Sequence, residues 1–176
     1  MLSETATEFD LGPLSWVQGE IDEALTRGTA ALAAFRAAPA DTASLKHARA
    51  HVHQAAGAIQ MVGLDPIVAF TDEIERQLVR LEELPAADVP AVVDLVDHAV
   101  SRLRVFLDEV ANGAPPVPLT LFSEYEAMQK SRGVEASAPT DLFYPDLNVR
   151  APRPAQTEIM PAARLASLLL KERRQY

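Results

Sequence analysis

Three of the four histidines in this chain crowd into one short stretch, "KHARAHVHQAAGAIQMVG", from Lys46 to Gly63; the fourth is His98. Imidazole is neutral and nucleophilic near pH 7, so such a cluster suits two chemistries: metal ligation, or accepting a phosphoryl group at a ring nitrogen. His47 and His51 are four apart and share a helix face, a spacing that fits two metal ligands. No carboxylate lies between Thr42 and Val62 to join them, and the chain has no cysteine. Solvent-facing histidines are therefore the expectation, with no metal and no cofactor. His53 differs from the others because Gly57 follows it by one helical turn. A glycine inside a helix costs about 1 kcal/mol relative to alanine, which is tolerated where something must approach the backbone. His53 lies about 100° round the helix from the apolar Val52, at the rim of the buried stripe. It reads as a nucleophile within reach of a partner, with Gln54, Ala56, Gly57 and Gln60 as candidate docking positions. The plainer reading stays open: an interfacial histidine in a docking bundle, with Gly57 allowing close contact between helices.

The elements that must carry this stretch follow from apolar spacing. Leu14, Val17, Ile21, Leu25, Gly28, Leu32 and Phe35 recur at threes and fours and predict a helix from about Pro13 to Ala38, broken by "APAD". A second runs from Asp41 or Thr42 as N-cap to about Val62, with Leu45, Ala48, Val52, Ala55, Ile59 and Val62 inward and Gly63 as terminator. A third starts at "DP", with Asp65 as cap and Pro66 in the first turn; Ile67, Phe70, Ile74, Leu78 and Leu81 form its stripe, and Pro85 ends it. A fourth begins near Asp88 and turns Val93, Val96, Val100, Leu103, Leu107 and Val110 inward until "NGAPP". Short connections between long amphipathic helices predict an all-α, up-down-up-down four-helix bundle over residues 11–113. Residues 114–176 form an extension. Within it, 119–132 suit one further helix, and 133–160 hold four prolines and the apolar "DLFYPDL", an extended strap. "PAARLASLLLKERRQY" suits a final helix with a basic end and no terminator, as if the polypeptide continued beyond Tyr176.

Composition narrows the function. Sixteen basic against 25 acidic residues give a formal charge of −9, which disfavours nucleic acid and anionic membranes as partners. Aromatic residues are only 6%, consistent with helices packed through small side chains. The start "MLSETATEFDLG" has no basic region before an apolar run, and no apolar stretch reaches membrane-spanning length, so a cytoplasmic location is expected. No glycine-rich phosphate loop, paired-carboxylate site or Ser–His–Asp set can be assembled, which argues against an independent enzyme.

"HQAAGAIQMVG" resembles the signature of the histidine-phosphotransfer (Hpt) family, in which a histidine is followed by lysine at plus three, glycine at plus four and glycine at plus ten. His53, Gly57 and Gly63 fill three of these four positions, and the motif falls on the second helix, as in that family's four-helix fold. The resemblance implies that His53 accepts phosphoryl, that Gly57 admits a receiver domain, and that the partners are a receiver (response-regulator) domain and a kinase ATP-binding domain. The chain departs from the pattern at Ala56, where the lysine is expected, and at Ile59, where a small residue is expected at plus six. The missing cation costs about 1 kcal/mol at an exposed site and leaves a phosphotransfer-inactive docking domain as the alternative. "LSWVQGEIDEAL" and "DLFYPDL" extend the likeness, over about Leu11 to Arg153, to the N-terminal region of ChpA/PilL-type, CheA-like hybrid histidine kinases of type IV pilus systems, itself similar to the pilus regulator FimL. That likeness implies a module of a chemosensory histidine kinase, with pilus regulatory proteins as further partners.

The remaining features have plain readings. Asp72, Glu73, Glu75, Glu82 and Glu83 suit a solvated face of the third helix, one of them near enough to place a carboxylate by His53. Arg49, a turn before His53, reaches it only by another route than the family lysine. Trp16 is expected in the core or as a staple. Arg164, Lys171, Arg173 and Arg174 suit a solvated helix end.

Overall fold

The computed structural model describes residues 12–142, and among these the regular elements are all helical. Helix α1 spans Gly12–Ala37, α2 Thr42–Met61, α3 Asp65–Arg80 and α4 Val89–Ala111. A 3-10 turn, Pro118–Leu121, leads into α5, Phe122–Ser131, and a second, Pro139–Asp141, follows it. Helix α1 packs on α2 and α4, α3 packs on α2 and α4, and neither diagonal pair forms a substantial interface. This is the antiparallel four-helix bundle that the short connections require.

The apolar stripes close on one another. On α2, Leu45, Ala48, Val52, Ala55 and Ile59 are buried; on α3, Ile67, Phe70, Ile74 and Leu78; on α4, Val93, Val96, Val100, Leu103, Leu107 and Val110. Each fully buried aliphatic side chain contributes about 1.5–3 kcal/mol of transfer free energy, so the stripes dominate the stability of the bundle. Helices α1 and α2 approach closely at Gly28, where a Cβ would lie 3.4 Å from Val52 Cγ2 and 3.6 Å from the Ala48 carbonyl.

The helix ends follow local chemistry, with small corrections. Asp41 caps α2: its carboxylate accepts from the Ala43 N–H at 3.1 Å and the Ser44 hydroxyl at 2.7 Å. The Ser44 bond, with backbone donors and the charge of His47 adding to it, holds the Asp41 carboxyl below the usual range. Gly63 leaves α2 at φ +75°, the left-handed setting that ends helices with little penalty only at glycine. The cap of α3 is Leu64, so Asp65 and Pro66 already belong to the helix. The same helix stops at Arg80, before Pro85, in a run of turns with Glu82 N–H bonded to the Val79 carbonyl and Glu83 N–H to that of Arg80.

Two expectations fail on burial. Trp16 is 85% exposed and belongs to neither core nor staple, because it lies on the side of α1 opposite Leu14, Ile21 and Leu25. Glu73 is fully buried and no part of a solvated face. Its carboxylate accepts from Arg132 Nε at 2.7 Å and Arg132 Nη2 at 2.8 Å, and from Gln77 Nε2 at 3.2 Å. Gln77 also donates to the Met128 carbonyl at 2.6 Å. These bonds fasten α5 to α3, and Leu121, Met128 and Leu142 complete the contact as fully buried side chains. Residues 114–142 therefore pack on the bundle. The rest of "DLFYPDL" and the expected terminal helix lie outside the described residues.

Candidate functional site

Helix α2 presents its residues as angular strips. Its core strip runs through Ala48, Val52 and Ile59, and His53 lies roughly 140° round from Ala48, on the outer side. The His53 side chain is 80% exposed, and its Nδ1 lies 3.0 Å from Glu75 Oε1 on α3. A carboxylate accepts and cannot donate, so in the neutral ring the hydrogen sits on Nδ1 and the lone pair on Nε2. The tight α2–α3 hairpin sets this register, since stepping back along α2 moves forward along α3. Arg49, one turn before His53, correspondingly meets Glu82, with Nη1 to Oε1 at 2.7 Å.

Of the docking candidates, Gly57 is exposed, and a Cβ there would meet nothing within 4 Å. The close helix–helix contact that one reading gave to Gly57 is made by Gly28 instead. Gln60 and Gln54 are exposed, Gln60 on the His53 strip and Gln54 on the opposite flank. Ala56 is only 9% exposed and turns toward the bundle, so it offers little surface to a partner. Ile59 is fully buried in the core, which is why bulk at plus six is accommodated.

Lys46, Arg49, Ala50, His53, Glu75 and Val79 line one depression of about 310 Å³ between α2 and α3. The depression gathers residues N-terminal to His53 and leaves out Ala56 and Gly57. Side chains on a helix tilt toward its N-terminus, so the imidazole covers the turn before it. Sequence reasoning placed a carboxylate near His53 from the proximity of the third helix. It did not specify Glu75, because Asp72, Glu73 and Glu75 differ only in angle.

The other histidines go elsewhere. His47 is exposed near Asp41, and His51 is half-buried with its Cβ 3.6 Å from where a Gly28 Cβ would stand. His98 Nε2 lies 3.5 Å from Glu124 on α5, where Arg102 Nε stands at the same distance. Burial alone would raise the Glu124 carboxyl; bonds from Ser123 and its own backbone N–H, with the charges of Arg102 and His98, hold it below the usual range. Among the described residues no group of three or more His, Cys, Asp or Glu is placed to hold a metal ion. No described helix is long and apolar enough to cross a membrane.

An antiparallel four-helix bundle whose second helix carries an outward imidazole, bonded to a carboxylate of the third, has the build of a histidine phosphotransfer module. The family model for the Hpt domain matches residues 14–112, more than half of the chain. The protein belongs to the Hpt-domain family, whose members work in phosphorelay signalling with kinases and receiver domains. No curated protein and no solved structure matches it.

Proposed function

We propose that His53 is the residue through which this Hpt domain accepts and passes phosphoryl. The observation that carries the reading is the pairing of an 80% exposed ring with a carboxylate at Nδ1. Glu75 fixes the tautomer and leaves the Nε2 lone pair free. Nε2 attacks the phosphorus of a donor, either ATP held by a kinase ATP-binding domain or the acyl phosphate of a receiver aspartate. The bond from phosphorus to the leaving oxygen breaks, and its electron pair stays with ADP or the aspartate carboxylate. The ring becomes cationic, with the Nδ1 hydrogen shared with Glu75, and the reverse attack by a receiver aspartate discharges it. Such transfers depend on positioning and charge compensation more than on covalent machinery. Exposed Gly57, Gln60 and Gln54 supply the surface against which the partner lies, and Ala56 serves mainly as a small residue beneath it.

The resemblance of "LSWVQGEIDEAL" and "DLFYPDL" supports a place in a chemosensory histidine kinase of a type IV pilus system, with pilus regulators among its partners. Incubation with a cognate histidine kinase domain and labelled ATP tests the chemistry. Acid-labile label is expected on the unmodified protein and absent from His53→Gln. Equal labelling of both removes His53 from the mechanism. The buried Ala56, in place of a lysine, favours the second reading, a docking domain without phosphotransfer. Twitching output unchanged by His53→Gln but lost on deleting the domain would select it.

A further inference from the structure

The phosphoryl group proposed for His53 needs a cation, and the position that supplies one in the family pattern is the buried Ala56. The inference here rests on His53 being the acceptor. We infer that Arg49, seconded by Lys46, is the phosphoryl-binding cation of this domain, acting from the N-terminal flank of the histidine. Three observations converge on it. Helix α2 contains Lys46 and Arg49 but no acidic residue, although the protein as a whole carries a charge of −9. Both cations line the same depression as His53, and the tilt of helical side chains directs the imidazole over their turn.

The third observation is that both are available. Among the described residues Arg49 is held by a single contact to Glu82, with the two side chains 40% and 38% exposed. An ion pair so open to water is worth little and exchanges readily. Lys46 has no ion-pair partner among the described residues. Arg76 and Arg80 line an adjoining depression that shares Glu75 and Val79, and both are already engaged: Arg76 with Asp72 and Glu73, Arg80 with Gln77 and Ser131. A phosphoryl group on Nε2 carries more charge than one carboxylate and offers three acceptor oxygens, which the guanidinium fork matches bidentately. Glu82 thus holds Arg49 at rest and releases it when His53 is charged, while Glu75 stays on Nδ1.

The experiment uses the full chain and needs no cognate kinase. Potassium phosphoramidate transfers phosphoryl to histidine as its own P–N bond breaks, the Nε2–P bond forms and ammonia leaves. Mass spectrometry locates the label, with His53→Gln separating His53 from the other histidines. Phosphorus NMR then follows the phosphoryl ionisation with pH. In Arg49→Gln that ionisation is expected to move up by about half a pH unit, the loss of one charge at a half-exposed site, and the labelled fraction to fall several-fold. Lys46→Gln should move it less, and Arg49→Lys should restore most of it. Glu82→Gln separates charge from scaffolding. If Arg49 merely ties α2 to α3, Glu82→Gln reproduces Arg49→Gln; if it binds phosphoryl, Glu82→Gln labels at least as well as the unmodified chain. An unchanged ionisation in Arg49→Gln and Lys46→Gln overturns the inference and leaves the acceptor in place. No label at His53 in the unmodified chain overturns the acceptor reading and this inference with it.

Discussion

The bond between His53 Nδ1 and Glu75 Oε1, at 3.0 Å, makes a prediction that belongs to a single residue. A carboxylate selects the tautomer with its lone pair on Nε2 and stabilises the cationic ring formed on attack. A glutamine at the same place keeps the shape and loses the charge. Glu75→Gln is expected to slow kinase-dependent labelling of His53 roughly tenfold, about 1.4 kcal/mol of barrier, with the circular dichroism spectrum unchanged. A labelling rate equal to that of the unmodified domain would remove Glu75 from the chemistry. The histidine and its two glycines were legible as spacing; the carboxylate was legible only as a neighbourhood. Distinguishing Glu75 from Glu73 requires the angle at which α3 packs, and that angle is decided by contacts far along the chain.

At the scale of elements, two glycines of the motif should respond in opposite directions to alanine. At Gly57 the added methyl meets open space in an ordinary helix, so Gly57→Ala is expected to stabilise the fold by about 0.5–1 kcal/mol. At Gly63, φ is +75°, and Gly63→Ala should destabilise by about 1–2 kcal/mol. Urea midpoints measured with a common slope check both, and the same sign for the two would contradict this account. Helix periods read well from the sequence because each stripe is local and has a single place to go. The stripes predicted for α2, α3 and α4 are buried almost throughout, with Val62 only half-buried. Trp16 and Glu73 misled for a shared reason. Residue type suggested core for one and solvent for the other, while angle on the helix and a partner 59 residues away decided otherwise.

The whole molecule depends on α5 being fastened to the bundle by a buried charge. Removing Arg132 leaves Glu73 in the interior with only Arg76 and Gln77 as compensation, so Arg132→Ala is expected to cost about 2–4 kcal/mol, read from the urea midpoint. Replacing both partners, as in Glu73→Met with Arg132→Met, should recover much of that loss, since an apolar pair leaves no charge unmatched. Acid should loosen the same extension at its other flank. The Glu124 carboxyl is held below the usual range, so its contribution is complete above the ordinary glutamate value and fades as pH falls through the lowered one. Glu124→Gln should flatten that part of the curve of stability against pH; an identical acid limb in both proteins would argue against it.

Gly28 never touches His53, yet it governs where that ring looks. By letting the backbone of one helix nestle against Ala48, His51 and Val52, it seats α2 at a fixed rotation about its own axis. An alanine methyl there would still sit in ordinary contact, 3.4 Å from Val52 and 3.6 Å from His51, whereas a bulkier side chain would have to push between the two helices and swing the reactive edge away from its carboxylate. The aim of the imidazole is thus set from behind, by how little room the neighbouring helix leaves at its back.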